Sequence, residues 1–550
     1  MGHGLFFLFA VVAGLLWTAA CTAAAARVTR GWLKALLVAI GAGLPVIAML
    51  PIVAAAWWLA FGMRIQSNWF PQAITILMSL TIGGAWIVWA GLTSGDALTP
   101  RDDAVAPAAR WPLIGLTALA AIAASVTAGV LLILDNAVVA QAPYLRLEAA
   151  NLIQANLPPT VADDENAAPL HLQAGAAIAA DKDFNAEDSP IDPEGDVMRE
   201  AVTVFLNRHA ATLDLVRRAA DRDTCRFTRD WSRPSIDMIL AEIQVLRSEA
   251  RLLALAARRA AAEGRAADAL ADIVRIQRLG RHAASEPILV SYLVGVALER
   301  VALTELSDLL PRLGADDAPL LESPEVRDLV GRPFDLLPAL YGEEAFGLAT
   351  FAGFADGRLA GSDVFGPDQA DGTRTIHDIG PIFRVFFLPG DLDGYRRLMH
   401  DYQQLAAGRE GRTDFPQTKR GAEALEKNHL GKPPGMLSRM MVPALSSVLQ
   451  ARARDEAARR AAATLVAATK QRLATGVLPL EPAAFGATPS FVLPADPFAE
   501  GGKPLVMKRG DTGLSVYSIG PDGGDDGGPP PWRDAAPEGN DDVGFVMTIP

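Results

Sequence analysis

The stretch IDMILAEIQVLRSEARLLALAARRAAAEGRAADALADIVRIQRLG, residues 236–280, spells two amphipathic helices with a turn between them. Ile236, Leu240, Ile243, Val245, Leu246, Leu252, Leu253 and Leu255 recur near the helical period, and Glu263-Gly264 breaks the run. Leu270, Ile273, Val274, Ile276 and Leu279 mark the second helix, and Pro287 opens a third that reaches Leu310. The pattern predicts an antiparallel all-α helical array over 199–325, similar to helix-pair repeats but without a clean repeat. Between 199 and 312 the basic residues are 18 Arg and no Lys, interleaved with 15 acids, the alternation of a salt-bridged surface.

Working outward, 135–198 holds Pro158-Pro159, Pro190 and Pro193, with ten acids between Asp163 and Asp196 against one Lys. It reads as an acidic linker with one short helix near 167–180. The region 326–435 is mixed helix and loop, with a helix near 338–354 and an apolar run at 382–388 whose aromatics suit a core. Residues 436–550 read as an α+β module. A long helix runs from after Pro443 to about Thr475 and ends at Gly476, a good residue for the left-handed stop. Extended runs follow at 490–493, 505–508, 514–518 and 543–549, with Gly510-Asp511-Thr512-Gly513 as a hairpin turn.

The other end of the chain has a different composition. Residues 1–134 hold six Lys/Arg and three Asp/Glu, whereas the other 416 residues are 25% charged and carry a net −16 of the chain's −13. Uncharged runs over 1–26, 35–63, 65–95 and 111–134 each exceed the roughly 20 residues that span a bilayer. They predict a four-helix transmembrane unit with spans near 5–26, 35–61, 72–92 and 112–134. Eight of the ten Trp lie in the first 111 residues, as in an interfacial belt. Arg27, Arg30, Lys34, Arg101 and Arg110 fall in loops on one side, against Arg64 and Arg146 on the other. This predicts a multi-pass protein of a bacterial inner membrane, with the lipid bilayer as a partner and the soluble part outside the cytoplasm. No span carries an ionisable residue at its centre, which favours an anchor over an ion-coupled transporter. The composition excludes a plain cytosolic enzyme, a disordered tail and a nucleic-acid binder working through overall basic charge.

The site chemistry is sparse. The seven His are His3, His171, His209, His282, His377, His400 and His429, none within five residues of another, so no His-x-x-x-His pair exists. Cys21 lies in a predicted span and Cys225 stands alone in the soluble part. There is no Gly-x-Ser-x-Gly elbow and no Gly-x-x-x-x-Gly-Lys-Ser/Thr phosphate loop. One cluster combines carboxylates with a flexible backbone: Gly520-Pro521-Asp522-Gly523-Gly524-Asp525-Asp526-Gly527-Gly528. Its oxygens are the ligand class that calcium takes, although the spacing is not that of an EF-hand, and a plain acidic turn has the same composition.

Residues 457–528 resemble the C-terminal domain of the major pseudopilin of type II secretion. The likeness rests on Gln471-Arg472-Leu473-Ala474-Thr475-Gly476-Val477-Leu478-Pro479, on Asp496-Pro497-Phe498, and on Tyr517-Ser518-Ile519-Gly520-Pro521-Asp522-Gly523. The resemblance implies a calcium ion on Asp522 and one of Asp525 or Asp526, with backbone oxygens completing the shell. It does not imply a pilin-like polymer, because the corresponding helix follows 440 other residues and carries Arg452, Arg454, Asp455, Glu456, Arg459 and Arg460. The soluble part also resembles a loosely defined group of bacterial envelope proteins. That look lies in Glu165-Asn166-Ala167-Ala168-Pro169-Leu170, in Glu263-Gly264-Arg265 with Asp268-Ala269-Leu270, and in Gly342-Glu343-Glu344-Ala345-Phe346. It brings no activity with it.

These readings converge on a membrane-anchored extracytoplasmic scaffold for envelope or secretion proteins, with no nucleic-acid partner. One alternative is a hydrolase with a dispersed site, for which His282, His377 or His400 would meet Asp or Glu in a cleft. The other is a small four-helix channel or transporter.

Overall fold

The computed structural model describes residues 134–550 except 183, 185–188, 190, 192–196, 232–240, 360–384, 386–387, 408–414, 431–435, 480, 482–484, 486–491, 511–512, 530–539 and 549–550. The described chain is mostly helical, with helices α1 (Ala142–Asn156), α2 (Ala168–Ala180), α3 (Glu200–Arg208), α4 (Ala210–Ala220), α5 (Ala241–Ala262), α6 (Ala266–Ala284), α7 (Leu289–Leu309), α8 (Pro324–Gly331), α9 (Leu337–Ala355), α10 (Leu388–Ala407), α11 (Phe415–Leu430) and α12 (Met436–Thr475). Strands β1 (Val506–Arg509), β2 (Gly513–Ser518) and β3 (Val543–Thr548) form one antiparallel sheet in the order β1-β2-β3. Val506 pairs with Tyr517 and Ser518 with Val543. The chain divides into two compact units, one of 1–147 with 348–393 and the other of 148–347 with 394–550.

The expected four-helix transmembrane unit is corrected here. Among the described residues no helix is long and apolar enough to cross a membrane. The physical reason is visible in their charges: even α7, the most apolar helix of the array, carries Glu299, Arg300, Glu305 and Asp308. Residues 1–133, to which the spans were assigned, lie outside the described residues. The multi-pass inner-membrane localisation, the bilayer partner and the outward-facing topology therefore do not enter the functional reading.

In the larger unit, α5 and α6 fold back on each other through Gly264, whose φ of 76° gives the left-handed turn. Helix α6 then packs on α7. Their crossing is close: a Cβ on Gly280 would lie 2.9 Å from the Gly295 carbonyl oxygen, and one on Gly295 would lie 2.6 Å from that of Gly280. Helix α12 begins at Met436, seven residues before Pro443, and packs on α7 and on β2 and β3. It stops at Gly476, at φ 75°, as its pattern predicts. No strand forms at 492–493; the adjacent segment makes a single bridge between Ala495 and Pro504. One apolar core joins the array to this end, running from Leu253, Leu279 and Leu303 through Leu465 to Val516 and Phe545.

Charged side chains at this core are paired, both between helices and within α12. Arg217 of α4 holds Asp272 of α6 through two hydrogen bonds of 2.9 and 2.6 Å, and Arg258 of α5 forks onto Glu305 of α7. Arg459 of α12 pairs with Asp455 at 3.0 Å and Glu456 at 2.7 Å, and lies 3.6 Å from Glu299 of α7. Burial, then the negative charge of Asp455, pushes the Glu299 carboxyl well above the ordinary carboxylate range, because Arg459 is already shared by two nearer acids. A group neutral when folded but ionised when unfolded contributes stability that falls as pH rises from the unfolded pKa toward the folded one. Glu299→Gln, which mimics the protonated acid, is therefore expected to change stability by less than about 1 kcal/mol near pH 4. Between the unfolded pKa and the folded one, about 9, it should flatten the loss expected of the native protein, at up to about 1.4 kcal/mol per pH unit. Urea melts of both proteins between pH 5 and 9 check this; parallel curves contradict it.

Candidate functional site

Helix α2 buries one stripe, made of Ala168, His171, Ala174, Gly175 and Ile178. A Cβ on Gly175 would lie 2.5 Å from a Val245 methyl, so α2 sits tight on α5 and His171 is driven inward. His282 arrives from the last turn of α6, two residues beyond the close crossing at Gly280. Cys225 comes from the irregular segment that follows α4. Asn166 clips that segment in place: its Nδ2 donates to the Arg226 carbonyl at 2.9 Å, and its Oδ1 accepts from the Arg226 N–H at 2.9 Å and from the Ala168 N–H at 3.2 Å. Ala167 N–H donates to the Thr224 carbonyl at 2.9 Å. The side-chain amide thus pairs with Arg226 as a neighbouring strand would, fixing the register of Cys225.

The result is a sealed group in which one ligand atom each of His171, Cys225 and His282 lies within 4.8 Å of the others. Exposure is 0% for His171, 1% for Cys225 and 4% for His282. Ala167, Ala168 and Phe227 close the apolar side. His171 Nδ1 is 2.7 Å from Glu249 Oε2, and His171 Nε2 is 3.0 Å from His282 Nδ1. His282 Nε2 donates to the Arg222 carbonyl at 2.8 Å, since a carbonyl only accepts. In a neutral ring His282 Nδ1 is then a bare acceptor and takes the proton of His171 Nε2. His171 Nδ1 is bare in turn, so Glu249 donates to it as the neutral acid.

The electrostatics agree with this chain. Burial holds both imidazoles down at about 3, His282 with a further push from His171. Burial drives Glu249 well above the usual carboxylate range. The Cys225 thiol is raised by burial and then by the charges of Glu286, Glu249 and Glu242. Arg229 pairs with both Glu242 and Glu286, yet burial still lifts Glu286 to about 7. Glu249 Oε1 is buried and has no hydrogen-bond partner among the described residues.

The residues singled out for calcium lie elsewhere, after β2. Asp522 Oδ1 accepts from Gly524 N–H at 3.0 Å, and Asp526 Oδ2 from Asp541 N–H at 3.0 Å. Asp525 accepts from Tyr517 Oη at 2.8 Å and from Lys508 Nζ at 3.0 Å, and Lys508 first of all holds its carboxyl below the usual range. Among the described residues, His171, Cys225 and His282 form the group whose potential ligand atoms all lie within 4.8 Å of one another. Of the histidines considered for a hydrolase, His282 does meet a carboxylate, through His171; His400 is exposed on α10, and His377 lies outside the described residues. Comparison with protein-family models, curated proteins and solved structures finds no match.

Asn166→Ala removes the two side-chain bonds to Arg226 and the one to the Ala168 N–H, and leaves the Arg226 N–H unpaired. The expected cost is about 1–3 kcal/mol, with faster amide exchange at Thr224, Cys225 and Phe227. Exchange unchanged at those amides contradicts the clip.

Proposed function

We propose that this protein works as a non-catalytic scaffold, a cross-tied helical body that offers its surface to protein partners. One observation carries the reading. The described residues bring histidine, cysteine and glutamate together in the way a hydrolase would need, and that group is shut away from substrate on every side. A nucleophile must be ionisable and reachable, whereas burial and three nearby acids hold the Cys225 thiol protonated. The polar chain ends on the Arg222 carbonyl, a main-chain group that fixes geometry and takes no part in proton transfer. Bidentate arginine pairs between α4 and α6 and between α5 and α7 support the same reading, because such forks hold helices in one arrangement.

Thiol chemistry tests it. Ellman's reagent is expected to leave Cys225 unreacted in the folded protein at neutral pH and to titrate it fully in guanidinium. Rapid native labelling, together with turnover of an acyl substrate that Cys225→Ala abolishes, would overturn the scaffold reading in favour of a hydrolase.

A further inference from the structure

The geometry points to a metal site: we infer that His171 Nε2, Cys225 Sγ and His282 Nδ1 bind one divalent transition ion of the zinc class, which ties α2, the segment after α4 and α6 together. This goes beyond the scaffold reading and stands on the cluster itself.

The first support is ligand class and spacing. Two imidazoles and a thiol are borderline-soft donors, which suit zinc and its congeners and not calcium or magnesium. Tetrahedral zinc with bonds of about 2.0–2.1 Å to nitrogen holds its two nitrogens about 3.3 Å apart. The pair here stands at 3.0 Å, so seating an ion between the rings needs a movement of a few tenths of an ångström. Cys225 Sγ lies within 4.8 Å of a ring nitrogen of each histidine, against the roughly 3.5 Å of a tetrahedral site.

The second support lies behind the ligands. A metal-bound histidine donates its other ring N–H to a carboxylate or a backbone carbonyl. His171 has Glu249 at 2.7 Å on that side, and His282 has the Arg222 carbonyl at 2.8 Å. Both rings thus carry their outer partners, and both inner nitrogens face one another and the sulfur. With Glu249 as carboxylate and His171 Nδ1 as its donor, two bare nitrogen lone pairs would meet at 3.0 Å, which is repulsive unless a cation stands between them.

The third support is the field. Glu249 Oε1 is buried without a hydrogen-bond partner among the described residues, and Glu249 stands 2.7 Å behind His171. As a carboxylate there it would stabilise a divalent cation on the far side of the ring, and the cation would in turn stabilise the Cys225 thiolate. A hydrogen-bonded histidine pair accounts for neither the sulfur at the third corner nor the unpaired carboxylate oxygen.

The test is metal analysis of the full chain purified without chelator, followed by exchange with Co²⁺. The expected result is about one zinc per chain and a cobalt spectrum with tetrahedral d–d bands and a thiolate-to-cobalt charge-transfer band. Cys225→Ser should lose the charge-transfer band. Glu249→Gln should keep it while weakening Co²⁺ by roughly 10–100-fold, as expected for a positioning residue behind a ligand. Absence of stoichiometric ion together with a purely octahedral cobalt spectrum in the native protein overturns the proposal, and that measurement needs no variant to fold. Stoichiometric copper with an intense blue band overturns the zinc assignment. Undiminished binding in a folded His171→Ala, His282→Ala double variant overturns the ligand set.

Discussion

The close crossing of α6 and α7 is the constraint on which the array turns. Each of Gly280 and Gly295 would place a Cβ within 3 Å of the other's carbonyl oxygen, so the two backbones touch where most helix pairs are separated by side chains. That contact sets α6 in rotation and height. Asp272 is presented to Arg217 on one side, Gln277 donates to Glu299 of α7 at 3.2 Å on another, and His282 is carried into the site at the end. A side chain at either glycine would press the helices apart and misplace all three. Overpacking of this kind costs about 1–3 kcal/mol or more.

The array's exclusive use of arginine follows from the same closeness. A guanidinium forks onto a carboxylate in a fixed plane, and its weaker hydration lowers the cost of burial relative to an ammonium. Arg217, Arg258 and Arg459 each tie one helix to another or brace a buried stripe in this way. Arg300 extends the scheme to the sheet. It donates to the Gly544 carbonyl at 3.1 Å and lies over the Phe545 ring at 4.4 Å, with burial lowering its guanidinium to about 10. Such pairs contribute less to net stability than to uniqueness, because breaking one leaves an uncompensated buried charge. They hold the array and the C-terminal sheet to a single core arrangement.

Much of this was legible in the sequence because it is local. Helical periodicity and the Glu263-Gly264 break locate α5 and α6, Gly476 marks the end of α12, and the extended runs 514–518 and 543–549 give β2 and β3. Where the reading slipped, a non-local term won. Pro443 suggested a helix start, yet α12 already runs from Met436. The run 490–493 has strand propensity, but its described residues 492–493 gain no ladder. Charge-poor composition over 1–134 suggested a bilayer-spanning unit, whereas among the described residues no helix is long and apolar enough to cross a membrane. The histidine–cysteine group is not legible in the sequence because its members are far apart in the chain, whereas a ligand motif shows itself through residues a few positions apart. One signal was present: His171 falls on the stripe Ala168, Ala174, Ile178, and a histidine on an apolar stripe must find a buried partner.

That requirement explains why the site lies where three non-adjacent segments meet. The segment bearing Cys225 has no regular secondary structure to hold it, and the Asn166 side chain secures it through the main chain of Arg226. Hydrogen bonds of this kind contribute about 1 kcal/mol each, less than the conformational entropy of ordering a loop of several residues. Apolar burial of Cys225 and Phe227 against Ala167 and Ala168 adds a small patch, separate from the main core. A stronger tie is therefore useful at this point of the fold, where the apolar cluster is small. A bond from Cys225 through an ion to α2 and α6 would supply it. It would join a segment that packing holds weakly to two helices that the Gly175 and Gly280 contacts hold firmly.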